Sequence, residues 1–329
     1  MMSPPAELDP VRLENTLRTG WSLRPAEMEY VPKGAGSYHW RATDEQGRLH
    51  FVTVDDLDDK DWIADTRAAA FAGLGQALRT AVTLREAAAL DFVVAPIPAA
   101  DGSPLCRVDD RYAVAVYPFL AGRSGEFGQP NQTDALEMIV AMHRATPIAR
   151  TGARISAPFF EGRDDLAAFL LDPATRWQDG PFAASAHRLL APHARQLGEL
   201  VEQFDRLVEL TAATHADPVI THGEPHSGNL MSVDDRLLLV DWDTAGLAAP
   251  ERDVCLLTAD DTPRYEHLTG RRIDPAAIRL YQLRWCLDDL ACAVRMFRRP
   301  HGETADTRKW HDEVPEMLEQ IPIFLAEPR

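Results

Sequence analysis

The amino-acid sequence predicts an α+β protein of two lobes, in which an antiparallel sheet comes first and a mainly helical part follows. Short runs of β-branched and aromatic residues alternate with turn residues in the first third of the chain. Most of the remainder places apolar residues three and four positions apart, as amphipathic helices do. A length of 329 residues also exceeds what one compact core usually holds. We place the boundary between lobes at residues 1–117 and 118–329.

The N-terminal lobe is predicted to be a sheet with one helix. The segment 44–47 (Asp-Glu-Gln-Gly) has the composition of a hairpin turn, so its flanking strands should run antiparallel. Helical spacing covers 66–89, and glycine-rich residues 118–128 indicate a linker with a hinge at its start. The predicted strands cover residues 27–31, 38–43, 49–54, 105–108 and 112–117.

The C-terminal lobe is predicted to be mostly helical, with one β-hairpin at 230–241. The helical pattern at 183–213 fits either one long helix or two shorter ones. The predicted helices cover residues 133–145, 164–171, 183–213 and 275–298.

Composition limits the classes of function. A net charge of −17 argues against nucleic-acid binding, which needs a basic surface, and it suits a cationic ligand, although acidity also keeps proteins soluble. The four cysteines form no C-x-x-C pair, which disfavours a zinc site or disulfide framework. We find neither a signal-peptide pattern nor a run of 18 apolar residues, and therefore expect a cytoplasmic protein without a membrane partner. The sequence does not indicate the oligomeric state.

The segment with the most chemistry is 219–253, which reads VITHGEPHSGNLMSVDDRLLLVDWDTAGLAAPERD. Glu224 and Asn229 are five residues apart in a short loop, and Asp241 follows an apolar strand twelve residues later. Carboxylate and amide oxygens of this kind suit Mg²⁺, and a further carboxylate can orient a hydroxyl nucleophile.

This segment resembles the catalytic loop and metal-binding segment of the aminoglycoside phosphotransferase family, which is related to protein kinases. The family pattern is H-x-D-x-x-x-x-N, then an apolar strand and D-[WF]-[DE]; in this chain His222, Asn229 and Asp241 match it. The resemblance is strongest at 112–143 and 219–253, and is nearest to spectinomycin-type phosphotransferases. It implies a protein-kinase-like fold, with nucleotide bound by the N-terminal lobe and catalysis and acceptor binding in the C-terminal lobe.

The resemblance also implies a role for each matching residue. Glu224 would be the catalytic carboxylate and His222 would brace its loop. Asn229 and Asp241 would hold Mg²⁺, with Asp243 either assisting them or only capping the next helix. The residues expected to bind the nucleotide are Gly34, Gly36, Ser37, Thr53, Tyr117 and Phe119. Trp285, Asp288 and Asp289 fall where the family binds its cationic acceptor, although a tryptophan in the core and solvated aspartates are the simpler interpretation.

Two positions depart from the family pattern. Glu224 stands where the family has aspartate, which moves the carboxylate by about 1.5 Å. Thr53 stands where kinases carry the third-strand lysine that pairs with the phosphates. Nearby cations that could replace this lysine are Lys33, Lys60 and Arg41, and Glu86 is either its helical partner or a solvated residue.

The function expected from this resemblance is Mg²⁺-dependent transfer of the γ-phosphoryl of ATP to a hydroxyl of a small cationic molecule, such as an aminoglycoside or aminocyclitol antibiotic. The pattern does not distinguish ATP from GTP. Two alternatives stay open: a metabolic kinase for choline, homoserine or a sugar, and a binding protein whose catalysis has weakened because of Thr53 and Glu224.

Overall fold

A computed structural model describes residues 1–34, 36–125, 133–212, 217–258 and 260–326. Its strands are β1 (Pro25–Val31), β2 (Tyr38–Asp44), β3 (Leu49–Asp56), β4 (Cys106–Arg107), β5 (Tyr112–Pro118), β6 (Arg123–Ser124), β7 (Val219–Thr221), β8 (Leu230–Val233), β9 (Arg236–Leu239) and β10 (Gly246–Ala248). Its helices are α1 (Pro10–Trp21), α2 (Arg67–Glu86), α3 (Thr133–Arg144), α4 (Thr146–Ala149), α5 (Arg163–Leu171), α6 (Ala183–Leu190), α7 (Ala194–Leu210), α8 (Glu251–Val254), α9 (Asp261–Thr269), α10 (Pro275–Arg298), α11 (Ala305–Glu319) and α12 (Ile321–Leu325).

The chain packs as two compact units. The first contains Met1–Ala157 and His215–Ile273, and the second contains Pro158–Thr214 and Asp274–Arg329. The lobe boundary predicted between residues 117 and 118 falls inside the first unit, which thus holds both the N-terminal sheet and the 219–253 segment. The assignment of functions to lobes stays a prediction.

The N-terminal sheet has the strand order β1-β2-β3-β5-β4, and every neighbouring pair is antiparallel. Its five strands lie within two residues of the predicted bounds. Val52 and Val54 of β3 pack with α1 on one face of the sheet. Because side chains alternate along a strand, Thr53 and Asp55 lie on the opposite face, towards α2.

Helix α2 is fixed by a cap at its start and an apolar face along its length. The Thr66 hydroxyl accepts a hydrogen bond from the Ala69 backbone N–H at 3.2 Å, which satisfies one of the unpaired donors of the first turn. Leu74 and Leu78 are buried in the core that also contains Ala113 and Ala115 of β5. The helix thus covers the face of the sheet that carries Thr53 and Asp55.

Two small sheets position the 219–253 segment. Strand β7 pairs with β10 in antiparallel register, with Thr221 opposite Gly246 and Val219 opposite Ala248. Strands β8 and β9 form the predicted hairpin, and β6 adds to its edge. The two sheets therefore bring the loop after β7 to the loop after β9.

The second unit is built around α10. This helix begins at Pro275, as predicted, with Asp274 as its N-cap, and its core includes Leu283, Leu287 and Phe297. The pattern at 183–213 forms two helices, α6 and α7, separated by a 3₁₀ turn at Ala191–His193; residue 213 lies outside the described residues. Helices α1, α4, α8, α9, α11 and α12 were not predicted.

Replacement of Gly162, in the second unit, is expected to destabilise the fold. Its φ is +72°, and a Cβ there would lie 2.7 Å from the backbone oxygen of Ala291 in α10. We predict that Gly162→Ala lowers the free energy of unfolding by about 2–4 kcal/mol, because it combines backbone strain with overpacking against a rigid helix.

Gly198 in α7 is the matched control, since a Cβ there meets no atom within 4 Å. Gly198→Ala should stabilise the protein by up to about 1 kcal/mol, because alanine favours helix. Thermal and urea unfolding measure both changes. Equal stability of the two variants would contradict the close approach of Gly162 to α10.

Candidate active site

The loop from His222 to Asn229 is held in place by the buried carboxylate of Asp253. Its Oδ2 accepts the His222 backbone N–H at 2.9 Å, and its Oδ1 accepts the Gly223 backbone N–H at 2.7 Å. The ring of His143 contacts Oδ2 at 3.1 Å. Burial opposes the charge of Asp253, but its hydrogen bond with His143 and the charges of His143 and Arg252 hold its pKa below the usual range. The aspartate therefore fixes the start of the loop as an anion.

His222 joins the catalytic loop to the end of β9. Its Nδ1 lies 3.2 Å from the Glu224 backbone N–H, which can only donate, so Nδ1 accepts. Its Nε2 therefore carries the proton and donates to the Val240 carbonyl at 2.9 Å. Burial lowers the His222 pKa to about 4, so the ring is neutral at physiological pH. These two hydrogen bonds act on the backbone of Glu224 and Val240; that His222 braces a catalytic loop stays a prediction.

Gly223 allows a buried arginine to pass behind the loop. Its φ is +98°, and a Cβ would lie 2.2 Å from the Arg252 guanidinium. Arg252 donates to the Thr221 hydroxyl at 2.8 Å and to the Thr244 carbonyl at 3.1 Å, while the Thr244 hydroxyl donates to the His222 carbonyl at 2.7 Å. Arg252 and Thr244 thus tie together the strands on both sides of the site.

Glu224 and Asn229 lie at opposite ends of a tight turn. The Asn229 side chain is buried, and its Nδ2 donates to the Glu224 carbonyl at 3.0 Å. Since the nitrogen of the amide is engaged, its Oδ1 is the atom suited to a metal ion. Glu224 itself is half-buried, so its carboxylate is not sealed in the core.

Asp241 lies beside Asn229 through a backbone contact. The Val240 backbone N–H donates to the Asn229 carbonyl at 3.0 Å, and Asp241 follows with φ +67°, a conformation uncommon for aspartate. The buried Trp242 holds this turn, because its indole N–H donates to the Leu239 carbonyl at 3.0 Å. Strained backbone of this kind is often found at functional sites.

Several carboxylates crowd around Asp241, although its own side chain reaches solvent. Loss of hydration, followed by the charges of Asp243 and Glu224, raises the Asp241 pKa well above its usual range. A bound cation would relieve this repulsion, so the residues present fit Mg²⁺. Among the described residues, no three His, Cys, Asp or Glu side chains form a complete metal cluster. Mg²⁺ commonly takes one or two protein carboxylates and completes its shell with water and phosphate oxygens.

Lys60 is a buried cation that lies at this site. It directly follows the 3₁₀ turn Leu57–Asp59 that comes after β3, and its buried Nζ lies 3.0 Å from Asp55 Oδ1 and 2.9 Å from Asp243 Oδ2. The Ser37 hydroxyl is 3.4 Å away, and the position of a Cβ on Gly36 would be 4.0 Å away. Burial opposes the charge of Lys60, yet Asp243 and Asp55 hold its pKa well above the usual range.

The other candidates for the missing lysine are engaged elsewhere. Arg41 pairs with Glu29 on the neighbouring strand, and Lys33 donates to the Ser124 hydroxyl at 2.9 Å. Glu86 is exposed near the end of α2, so the solvated interpretation is the one that the structure supports. Sequence spacing could not separate these candidates, because the contact of Lys60 with Asp243 spans 183 residues.

Of the predicted nucleotide-binding residues, Gly36 and Ser37 lie beside Lys60. Gly34 and Gly36 have positive φ, and the Ser37 hydroxyl donates to Asp55 at 2.7 Å; Ala35 between the glycines lies outside the described residues. Thr53 contacts His39, with Oγ1 and Nδ1 3.3 Å apart.

Tyr117, at the end of β5, belongs to the same electrostatic environment. Its burial, followed by the charges of Asp55, Asp241 and Asp243, raises its pKa well above the usual range. Phe119 is half-buried just beyond β5. That these residues bind a nucleotide stays a prediction.

The three acceptor-binding candidates lie on α10 in the second unit. Asp288 forms an ion pair with Arg284 at 3.0 Å and accepts the Glu161 backbone N–H at 2.6 Å, so it is engaged within this unit. Burial raises the Asp288 pKa to about 6, although Arg284 opposes the shift. Trp285 is half-buried and Asp289 is exposed. Their role in acceptor binding stays a prediction.

Comparison with known proteins decides the family. A model of the phosphotransferase enzyme family matches residues 29–292. The chain belongs to this family. Among characterised relatives, protein StrN of Streptomyces griseus is 28% identical over 255 residues, which cover 72% of this chain and 73% of that protein. The predicted resemblance is thereby confirmed, as is the predicted enzyme class, a phosphotransferase that acts on alcohol groups.

Solved structures of family members share the fold. A spectinomycin phosphotransferase in complex with ADP and spectinomycin aligns with a TM-score of 0.73 at 14% identity, covering 97% of this chain and 98% of that chain. A microcompartment-associated aminopropanol kinase gives a TM-score of 0.55 at 15% identity, covering 96% and 98%. The predicted fold class, an antiparallel sheet followed by a helical part as in kinase-like phosphotransferases, is confirmed. No helix among the described residues has the length and apolarity needed to cross a membrane.

Replacement of Asp253 should loosen the catalytic loop in a pH-dependent way. Asp253→Asn keeps the size of the side chain but removes the anion that accepts two backbone N–H groups. We therefore expect the free energy of unfolding to fall by about 3 kcal/mol at pH 7. Because the folded-state pKa of Asp253 is lowered, its contribution is present above pH ~4 and is lost as pH falls through that folded pKa.

Urea unfolding of both proteins between pH 3 and pH 7, followed by tryptophan fluorescence, measures this difference. The difference in free energy of unfolding between the two proteins should become smaller as the pH falls. Asp235→Asn, in the exposed β8–β9 turn, is the control and should change stability by less than about 0.5 kcal/mol. A constant difference across this pH range would contradict the anionic role of Asp253.

Proposed function

We propose that this enzyme transfers the γ-phosphoryl group of ATP, with Mg²⁺, to a hydroxyl of a small cationic molecule of the aminocyclitol or aminoglycoside type. The observation that carries this proposal is the arrangement of Glu224, Asn229 and Asp241 on two loops joined by His222. A proton-accepting carboxylate and two oxygen ligands are the parts that phosphoryl transfer needs from a protein. We also propose that the reaction takes place in the cytoplasm and that the enzyme has a role in antibiotic resistance.

Asn229 and Asp241 would hold Mg²⁺, which when bound neutralises charge on the phosphates. Asp243 is less suited to this role than predicted, because its Oδ2 is engaged by Lys60 at 2.9 Å. The acids Asp55 and Glu224 lie in the same electrostatic environment as Asp241. A nucleotide entering without a divalent cation would therefore meet mostly like charge.

Glu224 would orient the acceptor hydroxyl and take its proton. Its backbone N–H is fixed by His222 and its carbonyl by Asn229, so the main chain on both sides of the carboxylate is constrained. This constraint supports a loop fitted to glutamate, because a side chain longer by one carbon needs a set position to reach a hydroxyl. Catalysis then comes mainly from positioning and charge.

The acceptor is proposed to be cationic for two reasons. The net charge of −17 would concentrate positively charged molecules near the protein. A structural neighbour with high coverage and a TM-score of 0.73 is a spectinomycin phosphotransferase. Spectinomycin itself is thus a reasonable first acceptor to assay.

A second candidate is an amino-alcohol kinase of metabolism. The likeness to an aminopropanol kinase, at a TM-score of 0.55, favours this class among metabolic acceptors. An amino-alcohol kinase would use the same site and the same preference for a cationic acceptor. Only the identity of the acceptor would therefore distinguish it from an aminocyclitol or aminoglycoside phosphotransferase.

Asp241→Asn should abolish most activity, because it removes a charged metal ligand. We predict a fall in kcat of at least about 100-fold in γ-phosphate transfer to a panel of aminocyclitols, aminoglycosides and amino alcohols. Chelation of Mg²⁺ should also weaken ATP binding to the unmodified protein. Undiminished turnover of Asp241→Asn on any acceptor of the panel would refute the metal role.

Glu224→Gln is the matched variant for this experiment, since it also replaces a carboxylate with an amide. It should lower kcat by about 100-fold or more while leaving Mg²⁺–ATP affinity unchanged, because a base acts in the chemical step. Equal loss of nucleotide affinity in both variants would show that the two carboxylates do not have separate roles.

A further inference from the structure

The structure offers a replacement for the strand lysine that this enzyme lacks. Lysine occurs at three positions in the sequence, and Lys33 and Lys309 are exposed, whereas Lys60 is buried. Thr53, at the strand position where kinases carry the lysine, contacts His39 and bears no charge.

We propose that Lys60 is the phosphate-binding cation of this enzyme, and that it reaches the site from the segment after β3 while Asp55 and Asp243 hold it in position. This inference deepens the proposed function and rests on it. It selects Lys60 among the three cations that the sequence offered as substitutes for the strand lysine.

The location of the Lys60 ammonium is the first argument. It lies between the glycine-containing loop, represented by Gly36 and Ser37, and the segment that carries Asp241 and Asp243. In kinases the phosphates occupy the space between a glycine-rich loop and the metal-binding aspartate. A cation in this space can reach phosphate oxygens without movement of the sheet.

The cost of burying Lys60 is the second argument. Removing an ammonium from water costs several kcal/mol, and a buried ion pair rarely stabilises a fold more than apolar packing would. Two carboxylates, Asp55 and Asp243, lie 3.0 and 2.9 Å from the amine and offset part of this cost. Such an arrangement is expected where a charged amine is needed for function.

The anchoring of Lys60 is the third argument. Protein kinases fix their lysine with a glutamate from the helix after the third strand. In this enzyme Asp55 belongs to β3 itself and is five residues from Lys60, while Glu86 of α2 is exposed. The lysine is therefore positioned by its own strand, and its place does not depend on an ion pair with α2.

An unmodified protein can test this location. An ATP analogue with an acyl group on its terminal phosphate transfers that group to an amine beside the phosphates, and mass spectrometry can assign the product among three lysines. With Mg²⁺ present, we expect acylation of Lys60 that excess ATP prevents, and none at Lys309. ATP-sensitive acylation of Lys33 with Lys60 unmodified would overturn the proposal.

Variants test the energetic role. Lys60→Met should raise the Kd for Mg²⁺–ATP by about 10- to 100-fold, the range for losing a hydrogen bond to a charged group. Lys309→Met, in exposed α11, should leave it unchanged. Adding Thr53→Lys to Lys60→Met should recover most of the affinity, because residue 53 lies on the same face as Asp55.

The outcomes separate this inference from the function on which it rests. If the unmodified protein binds Mg²⁺–ATP and a folded Lys60→Met variant binds it equally well, Lys60 is only a structural ion pair and the inference fails alone. If the unmodified protein binds no Mg²⁺–ATP, the proposed function fails and this inference with it. Where Lys60→Met does not fold, the acylation experiment decides.

Discussion

The buried ammonium of Lys60 joins two parts of the first unit that are distant in sequence. It contacts Asp55 on the N-terminal sheet and Asp243 in the loop after β9, at 3.0 and 2.9 Å. Because Lys60 and Asp55 are buried and Asp243 is half-buried, removing the ammonium would leave two carboxylates close together without their cation. This ion pair thus constrains where the glycine-containing loop, β3 and the Asp241 segment can lie relative to one another.

A second set of hydrogen bonds fixes the backbone of the loop at residues 222–229. The Asp253 carboxylate accepts the backbone N–H groups of His222 and Gly223. The His222 ring in turn hydrogen-bonds to the Glu224 backbone N–H and to the backbone at the end of β9. None of these contacts uses the carboxylate of Glu224 or the side-chain oxygen of Asn229. The backbone of this loop is therefore held by contacts within the first unit itself.

Much of the fold followed from local pattern. The strands at 38–43 and 49–54 and the helix at 275–298 were predicted within two residues, because each carries a clear period and a turn or cap at its end. Helix α1 was missed, since only Leu13 and Leu17 are buried along its twelve residues and the apolar signal is weak. Its Asp9–Pro10 start was a usable signal.

The site was predicted less completely. The spacing of His222, Asn229 and Asp241 predicted a segment whose two loops do meet in the structure, because a short loop between strands determines which residues come together. The sequence could not choose Lys60 among three candidate cations, since its contact with Asp243 depends on tertiary packing between residues 183 positions apart. The engagement of Asp243, and not Asp241, by this lysine was hidden for the same reason.

Side-chain NMR of isotope-labelled lysine tests the central claim most directly, because the chain contains three lysines and should give three signals. On addition of ADP and Mg²⁺, the signal of Lys60 should shift strongly, and that of Lys309 should stay in place as an internal reference. Binding of ADP and Mg²⁺ that leaves the Lys60 signal unmoved would show that the ammonium does not meet the phosphates, and would contradict the phosphate-binding role of Lys60.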